Sequence, residues 1–473
     1  MSKITTSLLP ISMMAVTISV ALSGCLQTET QDKKITLNKN PYPSTYLPVP
    51  QQDLLIKNAT VLTGTGERLN NADVLIKNGK VQQVGQNLST ENVTVIDATD
   101  KWVTPGIIDV HSHLGVYPSP SVESHQDGNE MTSPVTANVW VEHSVWPQDP
   151  GFQAARAGGI TTLQILPGSG NLIGGRGVTL RNVPSVSVQG MKFPDAPYGM
   201  KMACGENPKR VYGSRKELPS TRMGNMAGYR AAWVEATEYK AAWDKYDADY
   251  AQGKNPSAPK RDLGLDTLKS VLDGETLIHN HCYKADEMVQ MIDLGKEFNY
   301  KSGTFHHGIE AYKIADKLAE NGNCAAMWPD WWGFKMEAYD MIHENVAIVD
   351  AVKNSCAVVH SDSGTTIQRL NQEAGKIMYR ANEHGFSLKE EDAIKWITLN
   401  AAKSLGVNDK TGSLSAGKNA DVVVWNSNPF SVYAHAEQVF VDGGKVYDRF
   451  DETYQAKSDF LLGQPTITSS EQK

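Results

Sequence analysis

His111-Ser112-His113 is the sharpest chemical feature of the sequence. In a strand, residues two apart face the same side, so both imidazoles aim at one point, which suits a borderline-soft cation such as zinc. The pair directly follows the apolar run Ile107-Ile108-Asp109-Val110, at the carboxyl end of a strand. Two strand histidines alone are weak evidence, but three further residues repeat the arrangement. His281 lies just past the run Thr276–His279, His307 just past Thr304-Phe305, and Asp362 just past Val358-Val359-His360-Ser361. Four imidazoles and a carboxylate gathered at one rim are costly to desolvate without a cation.

What positions them is a chain of 473 residues with 45 basic and 53 acidic side chains, a net charge of −8. That length exceeds a usual single domain, although an elaborated α/β barrel absorbs most of it. The 40% hydrophobic content, with 39 Gly and 22 Pro, is globular and excludes collagen, coiled coil and disorder. A mean hydropathy of −0.38 argues against a multi-span membrane protein. No Lys/Arg block is present, so nucleic acid is not an expected partner.

Residues 1–24 read as a signal peptide: Lys3 precedes an apolar run, Leu8 to Leu22, too short to span a bilayer comfortably. The run ends in Leu22-Ser23-Gly24-Cys25, which resembles a bacterial lipobox and makes Cys25 the expected lipidation site. With Leu26 rather than aspartate behind it, the expectation is a lipoprotein on the outer membrane facing the periplasm, touching the membrane through that anchor only. Residues 25–52 are polar and end Pro-rich, as a tether would. Cys204, Cys282, Cys324 and Cys356 are widely spaced and are expected as buried free thiols.

Two strand-rich stretches, 53–104 and 411–450, flank an alternating centre at 105–410, and residues 451–473 form a C-terminal tail. Neither flank can bury a core alone, so both ends of the mature chain are expected to build one small β domain, with Asn78-Gly79 as a hairpin turn. The centre alternates apolar runs with helical periods, such as Met288, Met291, Ile292 and Phe298 on one face. That pattern predicts parallel strands closed into a (β/α)8 TIM-type barrel, an α/β fold whose active sites form at the strands' carboxyl ends. The polar stretch 215–262 reads as a helical insertion.

Pro105-Gly106-Ile107-Ile108-Asp109-Val110-His111-Ser112-His113 resembles the opening motif of the metal-dependent amidohydrolase superfamily. The likeness continues in order through His281, His307, Asp362, Thr398–Gly406 and Gly417-Lys418-Asn419-Ala420-Asp421, and is strongest to the imidazolonepropionase-like subgroup. It implies one or two divalent metals, zinc foremost, and hydrolysis of an amide or cyclic amide C–N bond in a small-molecule substrate, a dipeptide among them. His111 and His113 would then hold the more buried metal and His281 with His307 the more exposed one. Asp362 would bind and deprotonate the metal-activated water as general base and pass the proton to the leaving nitrogen. The bridging ligand is Lys201, in Gly199-Met200-Lys201-Met202-Ala203, or Glu206; a Glu206 that is not a ligand would contact substrate or orient the metal's ligands.

The glycine-rich stretch Pro167–Gly177 borders the same mouth, with Asn171 and Arg176 as substrate contacts and Arg176 as the partner of an anionic group. His279 and His360 are expected behind the ligands, and His306, opposite His307 in a strand, as structural. Trp328-Pro329-Asp330-Trp331-Trp332 could wall the substrate or pack a lid. Competing readings are a lipid-anchored substrate-binding protein with a vestigial site, and a metal-dependent isomerase or decarboxylase on the same barrel. A homo-oligomer is compatible with the sequence.

Overall fold

The computed structural model describes residues 33–454, so the signal segment, Cys25 and most of the C-terminal tail lie outside the described residues. The first sheet holds β1 (Leu54–Leu62), β2 (Arg68–Lys77), β3 (Lys80–Gly85), β4 (Thr94–Asp97) and β5 (Trp102–Pro105). The β2–β3 turn is Asn78-Gly79, both at positive φ (50° and 71°), the backbone that a two-residue hairpin needs and glycine adopts freely.

The central sheet follows with β6 (Ile107–Ser112), β7 (Ile160–Ile165), β8 (Ile173–Arg181), β9 (Tyr198–Ala203), β10 (Thr276–His281), β11 (Thr304–His306), β12 (Cys324–Met327) and β13 (Cys356–Val359). These eight strands are neighbours in chain order. Almost every residue in them is buried, as expected where both faces of a sheet are covered. The chain then returns to the first sheet with β14 (Val422–Trp425), β15 (Ala436–Val441) and β16 (Gly444–Asp448). Antiparallel pairing of β14 with β5 joins the two ends of the chain into one sheet, whose core includes Ile56, Val74, Val103, Val422 and Phe440.

One strand departs from the expected all-parallel barrel. β8 runs antiparallel to both β7 and β9, whereas β6–β7 and β9 through β13 pair in parallel. The physical reason is the short link: residues 166–172 cannot hold the crossover of a dozen or more residues that a parallel return requires. The Gly-rich stretch read as a mouth loop is therefore half strand, since Ile173 to Gly177 lie within β8.

The reversal also carries Arg181, at the end of β8, to the junction with the small sheet. There its fully buried guanidinium donates to Asp421 Oδ2 and Oδ1 at 2.8 and 2.5 Å and meets Asp442 Oδ1 at 2.6 Å. The polar stretch 215–262 does form a long helix, Arg222–Ala251, which buries Tyr229, Trp233 and Trp243.

Two further expectations need correction. Residues 33–50, taken as part of a tether, lie along the body as a strap. Ile35 N donates to Tyr246 Oη at 2.8 Å, Thr45 N to Gln189 O at 3.0 Å, and Tyr46 Oη to Asp442 Oδ2 at 2.6 Å. The cysteines are not free thiols but form Cys204–Cys282 and Cys324–Cys356 disulfides. Cys324 and Cys356 face each other in register on β12 and β13, and Cys204 and Cys282 stand one residue past the Ala203–His281 pair of β9 and β10. Sequence separations of 78 and 32 thus collapse to Cα distances of 5.3 and 4.5 Å. Among the described residues, no helix is long and apolar enough to cross a membrane.

Removing the cation of a buried ion pair leaves uncompensated charge, so Arg181→Met, which strands the Asp421 and Asp442 carboxylates, is expected to lower unfolding free energy by about 3–5 kcal/mol. Denaturant titration of the variant checks this; an unchanged midpoint would show that Arg181 does not fasten the two sheets.

Candidate functional site

The site forms at the seam between the first and last strands of the central sheet. Asp362 N donates to His111 O at 3.0 Å and Ser361 N to Asp109 Oδ1 at 3.1 Å, and the Ser361 hydroxyl also donates to the Asp109 carboxylate. Burial raises the Asp109 carboxyl to about 7, against the pull of these hydrogen bonds. With the seam fixed in this way, Asp362 Oδ1 lies 3.1 Å from His113 Nε2 and 3.4 Å from His111 Nε2, and Oδ2 lies 3.7 Å from His307 Nε2. Asp362 and His307 both sit at positive φ, 54° and 59°. That backbone costs a non-glycine residue on the order of 1–3 kcal/mol and persists where surrounding structure enforces it. Here it turns both side chains into the cluster from just beyond their strands.

Lys201 is fully buried on β9, with Nζ 3.3 Å from His111 Nε2 and 3.0 Å from Pro167 O. Burial lowers its ammonium to about 7. Glu206 opens the helix Glu206–Gly213 and turns instead toward Lys335, 3.6 Å from its Nζ. Of the two bridging alternatives, Lys201 is the one in contact with His111.

The remaining histidines form a linked set. His281 Nε2 lies 3.3 Å from Asn207 Nδ2, and its ring centroid is 4.9 Å from that of His307. His279 Nδ1 lies 2.9 Å from His306 Nε2, and His306 packs its ring 4.7 Å from His111. The expectation that His306 points away is thereby corrected: β11 ends at His306 and the chain kinks at His307, so consecutive residues both reach the cluster. His360 Nε2 lies 2.7 Å from His307 Nδ1, a contact the sequence hinted at only by its position two before Asp362. Trp328 stacks on His307 at 4.3 Å and on His360 at 5.2 Å.

These residues fit a divalent cation. The ligand atoms of His111, His113 and Asp362 lie within 4.8 Å of one another, as do those of His111, His307 and His360. His111 Nδ1, His279 Nε2, His281 Nδ1 and His306 Nδ1 are buried without a hydrogen-bond partner. Burial pushes His111, His281, His306 and His307 well below the usual imidazole range, with the neighbouring Lys201 adding to the effect. His279 falls to about 3 and His360 to about 4 for the same first reason. Neutral imidazole is the form that binds metal.

Two expected substrate contacts are engaged by neighbouring side chains and backbone. Arg176 belongs to β8 and is 5% exposed; its Nε donates to Thr267 Oγ1 at 2.9 Å, and its guanidinium stacks on Trp140 at 4.3 Å. Asn171 spends its amide on the neighbouring loop, donating to Glu130 O, Ser133 O and Thr136 Oγ1 and accepting from Asn129. Arg176 lies within β8 and Asn171 in the short bend that leads into it, and both side chains are held by neighbouring structure.

The family model described as "Amidohydrolase family" matches residues 263–446. A crystal structure described as an amidohydrolase from Thermotoga maritima MSB8 is 36% identical, with a TM-score of 0.76 over 84% of this chain and 100% of its own. Amidohydrolase tasK of Hapsidospora irregularis is 30% identical over 396 residues; the match covers 80% of this chain and 40% of that relative. A dihydroorotase of Ligilactobacillus salivarius is 24% identical over 84% of this chain and 99% of its own length. The chain belongs to the amidohydrolase family.

Metal analysis after equilibrium dialysis against zinc tests the ligand set. His111→Ala and Lys201→Ala are expected to weaken zinc retention about tenfold or more, while Glu206→Gln retains it. The opposite ranking of Lys201→Ala and Glu206→Gln would reverse the choice of bridging residue.

Proposed function

We propose that the protein is a metal-dependent hydrolase that cleaves the C–N bond of a small amide. The observation that carries this reading is the Asp362 carboxylate, a quarter exposed, in reach of three imidazoles at once. His111, His113, His307 and Lys201 would hold one or two divalent cations, zinc foremost, with His281 beside them. The neutral amine that burial favours at Lys201 is the form that can take up carbon dioxide, and the resulting carbamate would offer a cation an anionic oxygen ligand. A bound cation supplies Lewis acidity toward the carbonyl and acidifies water at neutral pH.

The chain's own groups supply the rest. Asp362 accepts the proton of the attacking water and delivers it to the leaving nitrogen as the C–N bond breaks, so one water is consumed and an acid and an amine are released. Its backbone N–H, bonded to His111 O, keeps the carboxylate aimed while it cycles. Trp328, stacked over His307 and His360, keeps bulk water from that side. Family membership and the relatives described as amidohydrolase and dihydroorotase support C–N hydrolysis, and the latter add cyclic amides to the substrates to be tried. The lipobox-like Leu22–Cys25 supports a lipid-anchored, periplasmic form of the enzyme as part of the same proposal.

Protein stripped by a chelator and reloaded with zinc is expected to regain hydrolysis on a panel of N-acyl amino acids, dipeptides and cyclic amides. Asp362→Asn is expected to lower kcat by about 10²–10⁴. Turnover indifferent both to chelation and to Asp362→Asn would overturn the reading, and product mass without gain of water would favour isomerase or decarboxylase chemistry.

A further inference from the structure

The strap walls a cavity on the side of the central sheet that faces away from the histidines. Arg176 pairs with Met200 across β8 and β9, and Met200 adjoins Lys201. Neighbours along a strand point to opposite faces, so Lys201 turns toward His111 while Arg176 turns outward to the helix Leu263–Leu272. There its Nε donates to Thr267 Oγ1 at 2.9 Å, and its Nη2 reaches Ser270 Oγ, one helical turn on, at 3.5 Å. The guanidinium lies against the rings of Trp140 and Tyr198, 4.3 and 5.2 Å from their centroids. Arg176 is only 5% exposed, yet among the described residues no carboxylate oxygen comes within about 4 Å of its nitrogens, the reach of an ion pair.

A buried cation without a counter-charge is costly. The acids that line the cavity do not supply one, because each is already matched. Asp266 pairs with Arg261 at 2.7 Å, Asp273 with Lys269 and Lys240 at 2.6 and 2.7 Å, and Glu275 with Lys39 of the strap. Arg176 is therefore the unmatched charge of the cavity. Of its five N–H donors, Thr267 and Ser270 engage two, which leaves donors at the end of the planar fork.

The space that Arg176 lines together with Trp140, Ser270 and strap residues Leu37, Asn38 and Lys39 has a volume of about 40 Å³. A single water needs roughly 10–15 Å³ by the same measure, so there is room on the order of three waters, the size of a carboxylate group. Charge narrows the choice further. A dianion such as phosphate would face Asp266, Asp273 and Glu275 at the walls with one surplus cation to hold it. A monoanion balances Arg176 alone, and the planar carboxylate fits the planar fork.

We propose that this cavity is a binding site for a small carboxylate, held on the Arg176 guanidinium beneath the strap and separate from the metal cluster. The bound anion joins β8, the helix Leu263–Leu272 and strap residues 37–39, and so fastens the strap to the body of the protein.

Calorimetric titration of the zinc-loaded protein with sodium acetate tests the site, with sodium phosphate and sodium chloride alongside. Acetate is expected to bind more tightly than either, and to raise the melting temperature above that in an equal concentration of chloride. Arg176→Met is expected to weaken acetate binding about tenfold or more. Lys39→Glu, a change at an exposed side chain on the rim, is expected to weaken it about threefold, and it decides the matter if Arg176→Met does not fold. Acetate affinity unchanged in Lys39→Glu and in folded Arg176→Met overturns the proposal, as does acetate binding that vanishes when zinc is chelated, which would put the anion on the metal. Phosphate binding as tight as acetate, or no binding of acetate at all, overturns it too.

Discussion

Burial of uncharged imidazole is the constraint around which the molecule is organised. His111, His279, His306, His307 and His360 are at most 1% exposed, and several keep a ring nitrogen with no protein partner. In an apolar interior such nitrogens are a standing cost, since an unmet buried polar atom forfeits its bonds to water. The strands around them are short and almost wholly buried, and their nearest polar neighbours are largely other imidazoles. What remains is a pocket whose composition favours a cation. The strained turns at His307 and Asp362 make sense in this setting, because they bring side chains in from beyond the strand ends.

The seam between β6 and β13 does most of the aiming. Asp109, Ser361, His111 and Asp362 exchange hydrogen bonds there, so the bonds that draw the first and last strands together also orient the carboxylate. The same hydrogen bonds thus span the seam and orient the carboxylate. The Cys204–Cys282 link acts similarly at the opposite side, joining the chain just beyond β9 and β10, the strands that bear Lys201 and His281.

Much of this was legible in the residues. Apolar runs ending in His or Asp gave the strand ends and the mouth, and the β-rich flanks gave the joint sheet made by β5 and β14. What stayed hidden has physical causes. Strand alternation misplaced His306, because β11 is only three residues long and the chain kinks straight after it. Glycines at 174, 175 and 177 disguised β8 as a loop and so misdirected Arg176. The disulfides depend on which strands become neighbours, information that cysteine spacing does not carry.

The reversed strand has an architectural corollary. A parallel unit would have left a long, freely variable connection on the rim after its strand, open to lengthening as a lineage explores new substrates. In its stead the rim has a tight bend, residues 166–172, held from beneath by the Lys201 bond to Pro167 O and the His113 bond to Leu166 O. That side of the opening behaves as a fixed sill. The far bank is built differently, since there Trp328 stacks directly on His307 and His360 and any change in that segment reaches the cluster itself.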